Sequence, residues 1–366
     1  MVGNNTPVFF VRDPIKFPDF IHTQKRNPQS NLKDPDAFWD FLSLVPETVH
    51  QVSILFSDRG TPDGYRFMHG FSSHTLKLVN AEGRVHYCKW HFKSDQGVRN
   101  ITGAEATALA GTDPDYATRD LFAAIERREY PSWTVCVQVM PEDQVGAAPV
   151  NILDVTKVWP QGQYPLVPIG RLMLNRNPEN YFAEIEQAAF SPSHMVPGIE
   201  PSFDRMLQGR LFSYPDTQRH RLGANYQQIP VNRPSGAVLA HHQRDGPMCV
   251  SGNQGRAPNY EPNSAGYAKE AGQGSRAAWS AAPLPGGAVI GRHAVPLRDD
   301  DFVQAGRLYQ IQSTEARNRM VGNIVGHLKH AKPHIRARQI ANFKRADKEL
   351  GSRVEQGILS GVGSRI

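Results

Sequence analysis

The sequence predicts an α+β fold, with an antiparallel sheet or barrel in its first half and a helical region at its C-terminal end. Three observations carry this. Arg66–Val79 and Arg84–Lys93 are strand-like runs separated by the turn residues Asn80-Ala81-Glu82-Gly83, which reads as a hairpin. Ser132–Met140 alternates cleanly, with Trp133, Val135, Val137 and Val139 on one face. Near the other end, Ser313-Thr314-Glu315 supplies capping residues ahead of Met320, Val321, Ile324, Val325 and Leu328, which have helical spacing.

Taken in order, Pro7–Val11 is apolar and extended, Asp36–Leu44 has a helical pattern, and His50–Phe56 reads as a strand. The hairpin follows, then a helical pattern from Asp113-Pro114 through Leu121 to Ile125, then the 132–140 strand. Several strands joined by a hairpin suggest a sheet or barrel over residues 1–176. From 177 to 292 the texture changes. Pro, Gly, Asn and Ser accumulate, above all from Asn225 to Gly291, with one helical stretch near Asp204–Arg221. Long loops of this kind are commonly functional or wrapped over a partner. Residues 293–366 read as helical, with Pro333 breaking the pattern before Ile335, Ile340 and Phe343 begin another amphipathic run.

The chain has 366 residues, 41 basic and 35 acidic side chains and a formal net charge of +6. That charge is local: Asp301 to Ile366 hold 12 basic and 5 acidic residues, a net of +7. These residues lie on helical patterns, where Lys and Arg form a solvated outer face, and no aromatics are interleaved for base stacking. A nucleic-acid partner is therefore not expected. Cys88, Cys136 and Cys249 lie far apart with no metal-ligand spacing, which points to reduced thiols inside a cell. No apolar run approaches the ~18 residues of a membrane span, and the N-terminus lacks a secretory pattern. A soluble intracellular protein without a membrane partner is the expectation.

The most informative stretch runs from Arg210-Leu211-Phe212-Ser213-Tyr214-Pro215-Asp216 to Thr217-Gln218-Arg219-His220-Arg221. Arg210 and Tyr214 are four apart, so a helix puts them on one face and in contact. A guanidinium held against a phenol favours the phenolate, the form a ferric haem needs in an axial tyrosine ligand. From the same face Arg221 is placed to reach a haem propionate. Pro215 removes a helix hydrogen bond and should kink or restart the helix there.

This segment resembles the proximal signature of monofunctional haem catalases of the small-subunit type, Arg-x-Phe-x-Tyr-x-Asp, a small residue, then Gln, Glu or His. Tyrosine ligation in catalase is a known mode of haem attachment. Further catalase-like strings are Gly3-Asn4-Asn5-Thr6-Pro7-Val8-Phe9-Phe10, the run from Phe17 to Arg26, Ser57-Asp58-Arg59-Gly60, and Gln243-Arg244-Asp245-Gly246-Pro247-Met248. Coverage is essentially end to end. The resemblance implies a catalase-type antiparallel β-barrel, a long wrapping arm and a C-terminal helical domain. It also implies disproportionation of hydrogen peroxide to water and oxygen through an oxoferryl state of haem b.

By this resemblance Tyr214 is the iron ligand, Arg210 holds it as tyrosinate, and His74 and Asp204 belong to the polar chain running outward from that arginine. Asn4 matches the asparagine that hydrogen-bonds peroxide, and Phe9 and Phe17 match aromatics packed against the haem. An NADPH site is implied at His50, Ser57, Arg59, Lys93, Val158 and Trp159, with Arg59 or Lys93 on its phosphates. There the sequence departs from the family, with Ile54 in place of an aromatic and Gln161 in place of a histidine.

The family also has a distal histidine in an Arg-x-x-His signature. The nearest string here, Glu126-Arg127-Arg128-Glu129-Tyr130, has no histidine, and Met1-Val2-Gly3-Asn4 aligns with a later barrel strand. The expectation is a chain lacking the first barrel strands and the N-terminal arm, with slower peroxide turnover than an intact catalase, because a positioned base contributes about 10²–10⁴-fold. Open alternatives are a non-catalytic haem-binding or assembly partner of full-length catalase, and a haem enzyme acting on lipid hydroperoxides. Homotetramers with crossing arms are implied by the family. The terminal Ser364-Arg365-Ile366 resembles a Ser-Lys-Leu peroxisomal address, which places the protein in the peroxisome ahead of the cytoplasm.

Overall fold

The alternating segments build one antiparallel sheet. Its strands are β1 (Gly70–Phe71), β2 (Leu76–Val79), β3 (Val85–Ser94), β4 (Ser132–Pro141), β5 (Val167–Met173) and β6 (Ile199–Pro201). The order is β5-β4-β3-β2-β6, with β1 also pairing β3. The hairpin is as the turn residues require: Val79 faces Val85, and Gly83 closes the turn at φ +77°. β3 and β4 pair along nearly their full lengths, from His86 opposite Pro141 to Ser94 opposite Trp133. A register shift between Val135 and Cys136 bends β4 against β5. All seven residues of β5 are exposed. This computed structural model describes residues 3–235, 244–247, 249, 252–265 and 300–361. The string around Gln243 and Met248, much of the Gly-rich arm and Ser364-Arg365-Ile366 lie wholly or partly outside the described residues.

The helices are α1 (Lys16–Thr23), α2 (Pro35–Leu44), α3 (Val49–Phe56), α4 (Gly103–Thr112), α5 (Tyr116–Glu126) and α6 (Arg205–Leu222), followed by α7 (Asp300–Gln310), α8 (Thr314–Leu328), α9 (Pro333–Ala346) and α10 (Lys348–Leu359). Ser313 caps α8 through the Ala316 amide, and Pro333 opens α9 at a position where its missing N–H costs nothing. The C-terminal helices do not form a core alone. Trp39, Leu42, Val49 and Val52 from α2 and α3 share one apolar cluster with Phe302, Tyr309, Ile324, Leu328, Phe343 and Leu350. α6 packs across the sheet by another face, with Leu207 among Leu76, Cys88 and Val137.

Three expectations are corrected. His50–Phe56 is a helix, not a strand. Val49 to Ile54 are all buried, so the segment shows no 3.6-residue amphipathic period and its β-branched content misleads. Pro7–Val11 joins no strand; Val8 and Val11 are fully buried in irregular backbone, and Phe9 N donates to the Val155 carbonyl at 3.1 Å. The third correction concerns Pro215, where α6 runs continuously from Arg205 to Leu222 without a restart. α1, α4, β5 and β6 were not expected. Only α4 had a clear signal, the capping box of Thr102 and Glu105.

Candidate active site

α6 positions the central pair. Its N-cap, Asp204, accepts from the Met206 and Leu207 amides at 2.9 and 3.2 Å through one carboxylate oxygen. The other oxygen accepts from His74 Nδ1 at 2.7 Å. A buried carboxylate thus ends the helix dipole and orients a histidine with one side chain. Burial pushes the His74 pKa down, against the pull of Asp204, so the neutral ring carries its hydrogen on Nδ1. One and a half turns into α6, Arg210 Nη2 donates to the Tyr214 hydroxyl oxygen at 2.7 Å, with the guanidinium carbon 4.9 Å from the ring centroid. The sequence spacing had required this contact.

The floor opposite is the segment from Asn4 to α1. Gly209 permits its approach, since a Cβ there would lie 2.5 Å from Pro14 Cβ. Asn4 forms a backbone bridge with Phe71, and its side-chain amide donates to Ser73 Oγ at 3.1 Å. Ser73 holds φ +57°, a conformation sustained by its hydroxyl donating to the Thr6 carbonyl at 2.9 Å. Phe9 and Phe17 pack with ring centroids 5.9 Å apart. Between these walls is a cavity of about 400 Å³, lined by Asn4, Phe9, Phe17, His74, Arg210 and Tyr214 among others. A second cavity, of about 350 Å³, shares His74 and Arg210 with it and is walled by Trp90, Phe190 and Leu207. Residues far apart in the sequence therefore meet at one cavity. Arg221 does not join them. Its guanidinium donates to the Glu186 and Ala188 carbonyls and to Gln218.

The second predicted group divides. Arg59 and Lys93 converge on the Phe71 ring, 5.6 and 5.8 Å from its centroid. Their charges push the His69 pKa down to about 4, after burial as the larger cause. Among the described residues no carboxylate pairs with either cation, so the cluster suits an anion. The other members are committed elsewhere. His50 Nδ1 bonds the Thr156 carbonyl at 2.9 Å, Ser57 donates to Ile54, and Trp159 is buried against Tyr164. Val158 exchanges both backbone hydrogen bonds with the Gln304 amide of α7. Sequence reasoning missed His69 and Gln304; a lone histidine and a lone glutamine on otherwise ordinary patterns carry no signal.

Two family models match the chain: Catalase over residues 1–267 and Catalase-related immune-responsive over residues 296–358. A peroxisomal catalase of Toxoplasma gondii is 56% identical over 361 residues, covering 98% of this chain and 71% of that protein. Catalase-A of Dictyostelium discoideum is 57% identical over 361 residues, covering 98% of this chain and 72% of that protein. A crystal structure of a fungal catalase superposes with a TM-score of 0.89 at 47% identity, covering all of this chain and 74% of that one. With this likeness in sequence and fold over nearly its whole length, the chain belongs to the catalase family.

Proposed function

We propose that the paired cavities would hold haem, with the Tyr214 oxygen binding its iron, and that the decomposition of hydrogen peroxide shown by the family takes place there. The convergence of Tyr214, Arg210, His74, Asn4, Phe9 and Phe17 on one cavity carries this reading. The fit is chemical. A flat apolar macrocycle would be met by phenylalanines and a tryptophan, and one phenol oxygen is offered as a ligand with a guanidinium against it. When bound, haem supplies the iron redox chemistry. Arg210 fixes the phenol oxygen and places a positive charge on it. Asp204 fixes the His74 ring beside Arg210 by accepting from its Nδ1. Phe9 and Phe17 exclude water, and the Asn4 amide is the hydrogen-bonding group for peroxide on the opposite wall.

Replacing Tyr214 by Phe tests the assignment. The parent chain mixed with ferric haem should show a tyrosinate-ligated spectrum, and the Y214F variant should lose it. A spectrum unchanged in Y214F would remove Tyr214 from the site.

The basic pair Arg59 and Lys93 supports NADPH phosphate binding at the Phe71 face. Exposed Ile169, Phe190, Phe203 and Phe212 support a homotetramer that covers them. The Ser364-Arg365-Ile366 end supports import into peroxisomes, and a fluorescent fusion that stays cytosolic would count against it.

A further inference from the structure

α8 meets the first half of the chain through three side chains spaced four apart, Arg319, Asn323 and His327, which fall on one helix face. Arg319 Nε and Nη2 donate to the two oxygens of Asp58 at 2.7 and 2.6 Å, and Asn323 Nδ2 donates to the Phe56 carbonyl at 3.1 Å. The third contact runs the other way: Trp39 Nε1 of α2 donates to His327 Nδ1 at 2.8 Å. The His327 ring is set among Phe38, Trp39 and Phe56, with centroids 5.0, 5.7 and 5.7 Å away. This stripe therefore grips the end of α3 and the turn that follows it, which carries Arg59.

The His327 contact differs from the other two in its dependence on protons. An indole N–H only donates, so His327 Nδ1 must keep its lone pair and its hydrogen must sit on Nε2. A charged imidazolium carries hydrogens on both nitrogens and cannot accept. Trp39 is fully buried, so water does not replace the lost partner. His327 is exposed at its outer edge, where protons reach it. Burial of its inner face pushes the pKa down, and the charges of His330 on α8 and of Lys33 ahead of α2 add to the shift. Of the elements packed against the ring, α2 carries Asp36 and Asp40, paired with Lys332 and Arg338, and α3 presents the uncharged Phe56 ring.

We propose that Trp39 and His327 form an acid-sensitive latch: protonation of His327 releases the α2–α8 contact, loosens the 56–59 turn and weakens anion binding at Arg59. The last step rests on the reading of Arg59 and Lys93 as a phosphate site; the latch itself does not. The latch is closed above 6.5, the ordinary histidine value, and opens as pH falls below it, because the opened state takes up the extra proton. Loss of one buried hydrogen bond shifts such an opening equilibrium by about 10-fold.

The test uses the full 366-residue chain with isotope-labelled tryptophan and three variants. Trp39→Phe identifies the Trp39 indole resonance by its absence. His327→Asn places an amide oxygen where Nδ1 was and cannot titrate, and His327→Ala leaves the indole unpaired. Between pH 7 and pH 5 the Trp39 N–H resonance of the parent should shift. Hydrogen exchange across 56–59, corrected for its intrinsic pH dependence, should quicken by about 10-fold over the same range. His327→Asn should hold both constant, and His327→Ala should exchange quickly already at pH 7. NADPH binding, followed by its fluorescence, should weaken on acidification by about 10-fold more in the parent than in His327→Asn. The nucleotide's own phosphates titrate equally in both proteins. A Trp39 resonance that stays fixed in the parent, or shifts equally in His327→Asn, would overturn the latch. Equal pH dependence of NADPH binding in the two proteins would overturn the link to Arg59. No NADPH binding by the parent at pH 7 would instead sink the phosphate-site reading, while the indole resonance and exchange would still decide the latch.

Discussion

The Tyr214 oxygen meets Arg210 at 2.7 Å because residues four apart on a helix lie side by side on one face. A charge-assisted hydrogen bond of this kind contributes about 1.5–3 kcal/mol, so Arg210→Met should weaken haem binding by roughly 10–100-fold, measured by titration. Buried histidines give a second prediction at this scale. Burial pushes the pKa of His50 and of His91 down to about 4 from an unfolded value of 6.5. Between these values the unfolded chain binds the extra protons, so stability is full above pH 6.5 and falls as pH drops toward 4. Each ring accounts for roughly 3 kcal/mol at most. Urea unfolding at pH 7 and pH 5 should show the loss, and His91→Gln should make it smaller; equal stability at both pH values would contradict this. At this scale the sequence was informative where a motif was local, as with Arg210 and Tyr214. It was silent where partners were distant: His74 and Asp204 lie 130 positions apart, and only the family resemblance joined them.

α6 is the element on which the site depends, and its first turn is where a single change should matter most. Asp204→Ala removes the cap, worth about 1 kcal/mol, and leaves the buried His74 Nδ1 unpaired, worth about 1–3 kcal/mol more. A total loss near 2–4 kcal/mol is expected in chemical denaturation, and a loss below 1 kcal/mol would argue against the dual role. Helices with a polar face or a cap were readable in advance, as α2, α5, α6 and α8 show. α3 was not, because burial on every side erases the period that identifies a helix. β5 was hidden for the opposite reason: its seven residues are all exposed, so no inward face alternates with an outward one. Pro215 sits inside α6, and the amphipathic stripe on either side outlasts the one missing hydrogen bond.

Across the whole molecule, a buried ion cluster ties α7 to irregular segments of the first half, at residues 12 and 154–157. Arg12 binds both oxygens of Asp301 at 2.7 and 2.9 Å and Asp154 at 2.6 Å, and Lys157 reaches Asp301 at 3.1 Å. Removing one member strands the others, so Asp301→Ala should cost about 3–5 kcal/mol and lower the thermal midpoint. A change under 1 kcal/mol would show the tie to be dispensable. Sequence patterning indicated a sheet followed by helices but not this seam. The seam joins residues 12, 154, 157 and 301, and each looks like an ordinary surface charge until the fold buries it. The same long-range closure brings Asn4, Phe9 and Phe17 over Tyr214, and the assembled cavity is the central claim. Its most direct test is the absorption spectrum of the full chain titrated with ferric haem, beside Y214F. Stoichiometric uptake with a tyrosinate-ligated spectrum that Y214F lacks is the predicted result. No uptake by the parent chain, or the same spectrum from both proteins, would contradict it.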